Sequence, residues 1–159
     1  LLTKPLTDTQ IILSKYFSGL VLVIFSLLPT LIYVFFVYRF GSPPGNIDMG
    51  GTWGSYIGLI FLASAFVAVG LWVSSLTDNQ IVAFIVSVFV CGFLYLGFEF
   101  IYSLKMLGSI DLFVNSLGIQ AHYISISRGV VDSRDVLYFF SIIGLFLLLT
   151  KTTLESRKW

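Results

Sequence analysis

Glu99 closes an uncharged stretch that runs from Asn79 to Phe98, and Tyr102 follows three residues later. A carboxylate held at membrane depth costs about 3 kcal/mol or more unless it pairs or reaches water, which makes such a residue a pathway candidate by default. At the end of a stretch it serves as well as an interfacial anchor, the preferred reading here, with Glu99 kept as the candidate pathway residue. His122 and Cys91 are the single histidine and the single cysteine, far apart in the chain. They offer no metal-ligand set, and a lone cysteine forms no internal disulfide. His122 reads as a hydrogen-bonded or solvated ring in preference to a proton relay, and Cys91 as a small core residue. The chain contains no Gly-x-x-x-x-Gly-Lys-Ser/Thr, no His-Glu-x-x-His, no Gly-x-Ser-x-Gly and no Cys-x-x-Cys. Nothing pairs a nucleophile with a base, so the chain is not expected to be an enzyme and no cofactor is implied.

A second group of residues bears on packing. Gly54 and Gly58 form Gly-x-x-x-Gly, and Ser64 and Ala68 continue small side chains at helical spacing. Small residues let helix backbones approach closely, at a dimer seam or, as preferred here, within one chain. Pro29 lies inside an apolar run and removes one helical hydrogen bond, so a bend is expected near Phe25. In the charged segment 127–135, Asp132 reads as a helix N-cap with Asp135 three residues on, both favouring the positive helix end. Local pairing of Arg128 or Arg134 with Asp132 or Asp135 is one reading of this segment, worth about 0 to 1 kcal/mol at an exposed site, and structural positioning of the last helix is the preferred one.

The elements that position these residues follow from composition. The 159 residues are 57% hydrophobic and 11% charged, where a soluble domain carries about 25% charge. Such a chain cannot cover itself with polar surface in water, and it reads as a bilayer protein. The net charge of +1 gives no electrostatic case for nucleic acid. Four uncharged stretches are bounded by Lys15 and Arg39, by the Trp53 region and Asp78, by Asp78 and Glu99, and by Asp135 and Lys151. The first three reach the about 17 to 25 residues that a spanning helix needs. The last falls short, and snorkelling by Arg134 and Lys151 extends it. Expected spans are therefore 16–38, 54–76, 79–102 and 135–152. The apolar runs lack the two-residue alternation of a membrane β-barrel. The expected fold class is all-α: a polytopic membrane helix bundle with four spanning helices in this chain, plus short re-entrant or interfacial helices.

Gly41-Ser-Pro-Pro-Gly45 breaks the chain after the first span, and Trp53 and Tyr56 follow where an interfacial aromatic belt would lie. The segment 103–134 is long but not polar throughout. Ile110, Phe113, Val114 and Leu117 share one helical face, and Ile119, Tyr123, Ile126 and Val130 share another, with Gly118 between them and Gly129 after. Each piece is too short to span, so both are expected to be packed against the other helices. At the start of the chain, Pro5 and the caps Thr7 or Asp8 begin a short surface helix. Ile11, Ile12 and Leu13 give it an apolar side, and Lys15 ends it. Lys4, Lys15, Lys151, Arg157 and Lys158 fall on the side of the termini, against Arg39, Lys105, Arg128 and Arg134 opposite. Five against four leans towards cytoplasmic termini.

Residues 1–16, Leu-Leu-Thr-Lys-Pro-Leu-Thr-Asp-Thr-Gln-Ile-Ile-Leu-Ser-Lys-Tyr, resemble the cytoplasmic coupling segment of ABC exporter permeases of the type-2 family. Ser14 stands where that pattern usually has glycine, a small-for-small change. Gly54-Ser-Tyr-Ile-Gly-Leu, the stretch 75–84 and, most specifically, the stretch 125–138 resemble the GldF branch, associated with gliding motility. The resemblance covers essentially the whole chain. It implies a transmembrane permease subunit whose 1–15 is the coupling helix, with Thr3, Lys4, Pro5, Thr7, Asp8, Ile11, Ile12 and Lys15 facing a separate P-loop ATPase subunit. It further implies a second permease subunit, identical or related, an inner-membrane location, and room for an auxiliary gliding-motility protein. Two spans of such a permease are expected ahead of Leu1, and 103–134 corresponds to its outer re-entrant helices. The competing class is a membrane scaffold for motility or secretion machinery that transports nothing.

Overall fold

The computed structural model describes residues 7–105 and 111–156 of the chain, and every regular element among them is helical. The helices are α1 (Asp8–Leu27), α2 (Thr30–Phe40), α3 (Met49–Leu76), α4 (Gln80–Gly92), a π-helical turn (Phe93–Gly97), α5 (Phe98–Ser103), α6 (Asp111–Ser116), α7 (Ile119–Ser127) and α8 (Ser133–Ser156). Stacked end to end, they make four segments long and apolar enough to cross a bilayer: Asp8–Phe40, Met49–Leu76, Gln80–Ser103 and Ser133–Ser156. The all-α bundle expected from composition is the fold observed.

Local chemistry sets where each helix starts. The Thr7 hydroxyl accepts from the Gln10 amide at 3.4 Å, and the Gln10 side chain accepts from the Thr7 amide at 3.1 Å. This reciprocal pair satisfies two amides that have no partner within the helix. Asp48 caps α3 through the Gly51 amide at 3.0 Å, and Asn79 caps α4 through Ile81 and Val82. Asp132 accepts from the Arg134 amide at 2.9 Å at the head of α8. These caps move several boundaries. The second span begins at Met49 and not near residue 54, and the last is 24 residues long, so it needs no help from its flanks to reach across.

The first helix corrects the expected boundary most. No break occurs at Lys15: α1 runs from Asp8 straight through it to Leu27. Charge alone does not end a helix, because a lysine is a good helix former that turns its ammonium to water. The interruption falls instead at Leu28 and Pro29, a turn beyond Phe25, after which α2 restarts at Thr30. The Thr30 hydroxyl donates to the Leu27 carbonyl at 2.6 Å and lies 2.8 Å from the Tyr56 hydroxyl, tying the bend to α3.

The core is built around α3, which packs against α1, α4, α7 and α8. Its inward side carries Ala65, Ala68, Val69 and Val73, all fully buried. From α8, a stripe of Asp135, Phe139, Ile143, Phe146 and Thr150 is buried against it. Ile119 and Ile126 of α7 complete the cluster with Tyr16 of α1. The π-helical turn was not anticipated. Its additional residue per turn shifts the phase of the third span, and Tyr95 then faces both Phe66 of α3 and Tyr123 of α7.

Candidate functional site

Two regions at opposite ends of the bundle collect the residues of interest. At one end lies the foot of α1. Ile12 and Tyr16 are buried, one helical turn apart, and face the bundle. Ile11, Ile12 and Lys15 border a small cavity of about 100 Å³ with Leu71 and Ser75 of α3 and Thr150 of α8. The cavity marks the wedge where α1 enters between α3 and α8. Ile11 and Leu13 remain exposed beside it, as does Lys15. The expected coupling residues therefore divide. Thr7 is the helix cap, Asp8 lies in the first turn, Ile12 is committed to its own bundle, and Ile11 and Lys15 stay on the surface. Thr3, Lys4 and Pro5 lie outside the described residues.

The small residues of α3 face inward. Gly54 stands against the end of α7, where an added Cβ would come within 2.7 Å of the Gly129 nitrogen. Gly129 has φ +86° and itself abuts Gly50, so the turn after α7 needs glycine on both counts. Gly58 meets the Tyr123 ring, while Ser64 and Ala68 are buried. All four therefore make contacts within the chain. Glu99 is exposed on α5, and among the described residues no cation lies within ion-pair distance of it.

The opposite end holds a polar cluster that pattern reading missed. His122 Nδ1 lies 2.6 Å from Asp135 Oδ1, and His122 Nε2 lies 2.8 Å from the Ser116 carbonyl oxygen. The imidazole stacks on the Tyr138 ring with centroids 3.8 Å apart, and the Tyr138 hydroxyl donates to the Leu117 carbonyl. Asp135 is only 6% exposed. The alternative ion pairs of Arg128 or Arg134 with Asp132 or Asp135 are not formed. Asp132 is occupied as a cap, Asp135 turns inward to His122, and both arginines are exposed. The reason is register. Asp135 begins the buried stripe that continues at Phe139 and Ile143, so its side chain cannot also reach the surface where the arginines lie. Extending that stripe one turn towards the N-terminus is the signal that would have exposed it.

The two short helices of 103–134 are also divided. Ile119 and Ile126 are fully buried, as their spacing suggested, whereas Phe113, Leu117 and Val130 are exposed. Ile110 lies outside the described residues. Of the first apolar face, Phe113 and Leu117 therefore lie outside this chain's own core, and Val114 is half-buried.

A family model described as ABC-2 family transporter protein matches residues 1–153. No curated protein and no solved structure matches the chain.

Proposed function

The chain belongs to the ABC-2 family of transporter proteins, a multi-pass membrane component, and from that premise we propose that it is the permease subunit of an ATP-driven exporter. A separate P-loop ATPase binds nucleotide in the cytoplasm and presses on the stretch Thr3–Lys15. A second permease subunit, identical or related, completes the translocation path. The subunit sits in the inner membrane with both ends of this chain in the cytoplasm. The likeness of the stretch 125–138 to the GldF branch supports a role in gliding motility, with an auxiliary motility protein as a further partner. Glu99 is the candidate pathway residue at the far end of the third span.

The observation that carries this reading is the continuity of α1. It is capped at Thr7, wedged between α3 and α8 by Ile12 and Tyr16, and unbroken into the membrane as far as Leu27. A push on its exposed side, at Ile11, Leu13 and Lys15, is therefore delivered to the spanning helices as a near-rigid displacement. The permease supplies two membrane conformations, and the nucleotide supplies the free energy that separates them.

The test is to purify the full-length subunit and identify what accompanies it, then to reconstitute the pair. Ile11→Arg and Leu13→Arg should abolish ATPase association while leaving the bundle's denaturation midpoint unchanged. Recovery of the subunit without any ATPase would favour a scaffold that transports nothing. Undiminished transport-coupled hydrolysis in both variants would remove the coupling role from α1.

A further inference from the structure

Helix α7 lies antiparallel along the first part of α3. Gly58 meets the Tyr123 ring, Gly54 stands against the Ile126 carbonyl, and a Cβ at Gly51 would lie 3.7 Å from the Ser127 carbonyl oxygen. From Tyr123 to Ser127, α7 therefore climbs towards the capped start of α3 at Asp48. Trp53 and Tyr56, with ring centroids 6.3 Å apart, lie at that level of α3. Such aromatic pairs mark the depth where bilayer hydrocarbon gives way to headgroups.

A groove of about 300 Å³ follows the outward side of α7 in the same direction. Ala121, Ile124, Ser125 and Arg128 share one helical face along it, joined by Val130 from the next turn. From depth to surface the lining passes from apolar groups to a hydroxyl to a guanidinium. A phospholipid of that leaflet has the same order, from acyl chain through ester to phosphate. Both polar groups are uncommitted. The Arg128 guanidinium is exposed and, among the described residues, has no hydrogen-bond or ion-pair partner. Ser116 and Ser127 turn their hydroxyls back onto helix carbonyls, whereas the half-buried Ser125 hydroxyl makes no such bond. Nor is the guanidinium needed at the end of its own helix. The Ser125 and Ile126 carbonyls accept from the amides of Arg128 and Gly129, and the Ser127 carbonyl accepts from the Ser55 hydroxyl at 3.5 Å. No carboxylate lines the groove, and Asp132 in the following turn is occupied by the Arg134 amide. A guanidinium at headgroup depth with no protein anion finds its counter-ion in lipid phosphate, which it binds through paired, charge-assisted hydrogen bonds. An ammonium headgroup would meet no acceptor carboxylate here, so an anionic phospholipid fits better than a zwitterionic one.

We propose that this groove is a site for one anionic phospholipid of the leaflet at the head of α3, with its phosphate on Arg128 and Ser125 and an acyl chain along Ile124 and Ala121. The groove lies near the lower size limit of small-molecule sites, so it takes the phosphate end and the start of one chain and leaves the rest in the bilayer. The lipid covers the outward side of α7, while Gly54 and Gly58 keep the other side against α3. The site does not depend on cargo, on transport direction or on the ATPase.

The test uses the full protein chain in nanodiscs of phosphatidylethanolamine containing phosphatidylglycerol with a diazirine on its acyl chain. Photolysis should place lipid adducts on 119–128, located by peptide mass spectrometry. The fraction of phosphatidylglycerol needed for half-maximal labelling should rise about tenfold or more in Arg128→Ala. Arg128→Lys keeps the charge but loses the paired geometry, and should fall between. A phosphatidylethanolamine probe with the same diazirine chain should label the segment several-fold less. Glycerol phosphate, an anionic headgroup without chains, should not displace the lipid. Hydrogen exchange over 111–127 checks that each variant keeps its fold. Should Arg128→Ala fail that check, the wild-type probes still decide. Unchanged labelling in folded Arg128→Ala, equal labelling by the two lipids, or displacement by glycerol phosphate would each overturn the lipid site, the last in favour of a site for free anions. So would the absence of adducts from 119–128, the result expected if a protein partner covers this face.

Discussion

The two ends of the bundle are fastened by different forces. At the foot of α1 the contact is apolar: Ile12 and Tyr16 are wedged against α3 and α8, and they are held by shape and burial. At the other end the corner of α6 and α7 is held by directed polar contacts from one ring, His122, to Asp135 and to Ser116. Close-packed apolar contacts have low compressibility and transmit displacement from one helix to the next. A buried hydrogen-bonded pair is either made or broken, and the broken state is costly. The foot is therefore suited to passing on a mechanical push, and the corner to sitting in one of two positions. Helix α8 joins them, with Asp135 near its head and Thr150 beside the foot, about 22 Å apart at about 1.5 Å per residue.

The contrast can be broken most severely at the polar end. His122→Ala leaves Asp135 buried without its partner and should cost about 3–5 kcal/mol, read as a lowered denaturation midpoint in mild detergent. Ile12→Ala should cost about 2–4 kcal/mol by opening the wedge, and should increase protease access near the foot without disturbing exchange at 111–127. Gly54→Ala forces α3 away from the turn at Gly129. It should cost about 1–3 kcal/mol and raise exchange at the end of α7 only. The smallest effect sharpens the comparison. Thr7→Ala removes the cap of α1 and should cost about 1 kcal/mol, fraying the first turn while the wedge at Ile12 holds. If His122→Ala proved milder than Ile12→Ala, the claim that the polar end is the stricter fastening would fail.

Much of the fold was legible because the bilayer imposes length and composition on whatever crosses it. The uncharged runs, the caps at Thr7 and Asp132, and the short helices on either side of Gly118 were all within reach of the sequence. Boundaries set by charge were less secure. Lys15 looked like a terminator, yet α1 passes through it, because a lysine on a helix needs only a path to water. The partners of the acidic residues were not legible for a similar reason. Asp132 and Asp135 are three residues apart and look alike in sequence, but one caps its helix and the other heads a buried stripe.

By itself the sequence determined that this chain is a bundle of apolar helices, roughly where those helices lie, and which short segments lack the length to span. Hydrophobic periodicity and capping are local properties, and they are written residue by residue. Only the tertiary structure decided that Ile12 belongs to the bundle and Ile11 to the surface, and that Gly54 and Gly58 of α3 face α7. It alone joined His122 to Asp135 and away from the neighbouring arginines. Those outcomes depend on how helices distant in sequence rotate about their axes when they pack, and a rotation of one residue's width, about 100°, exchanges a buried face for an exposed one.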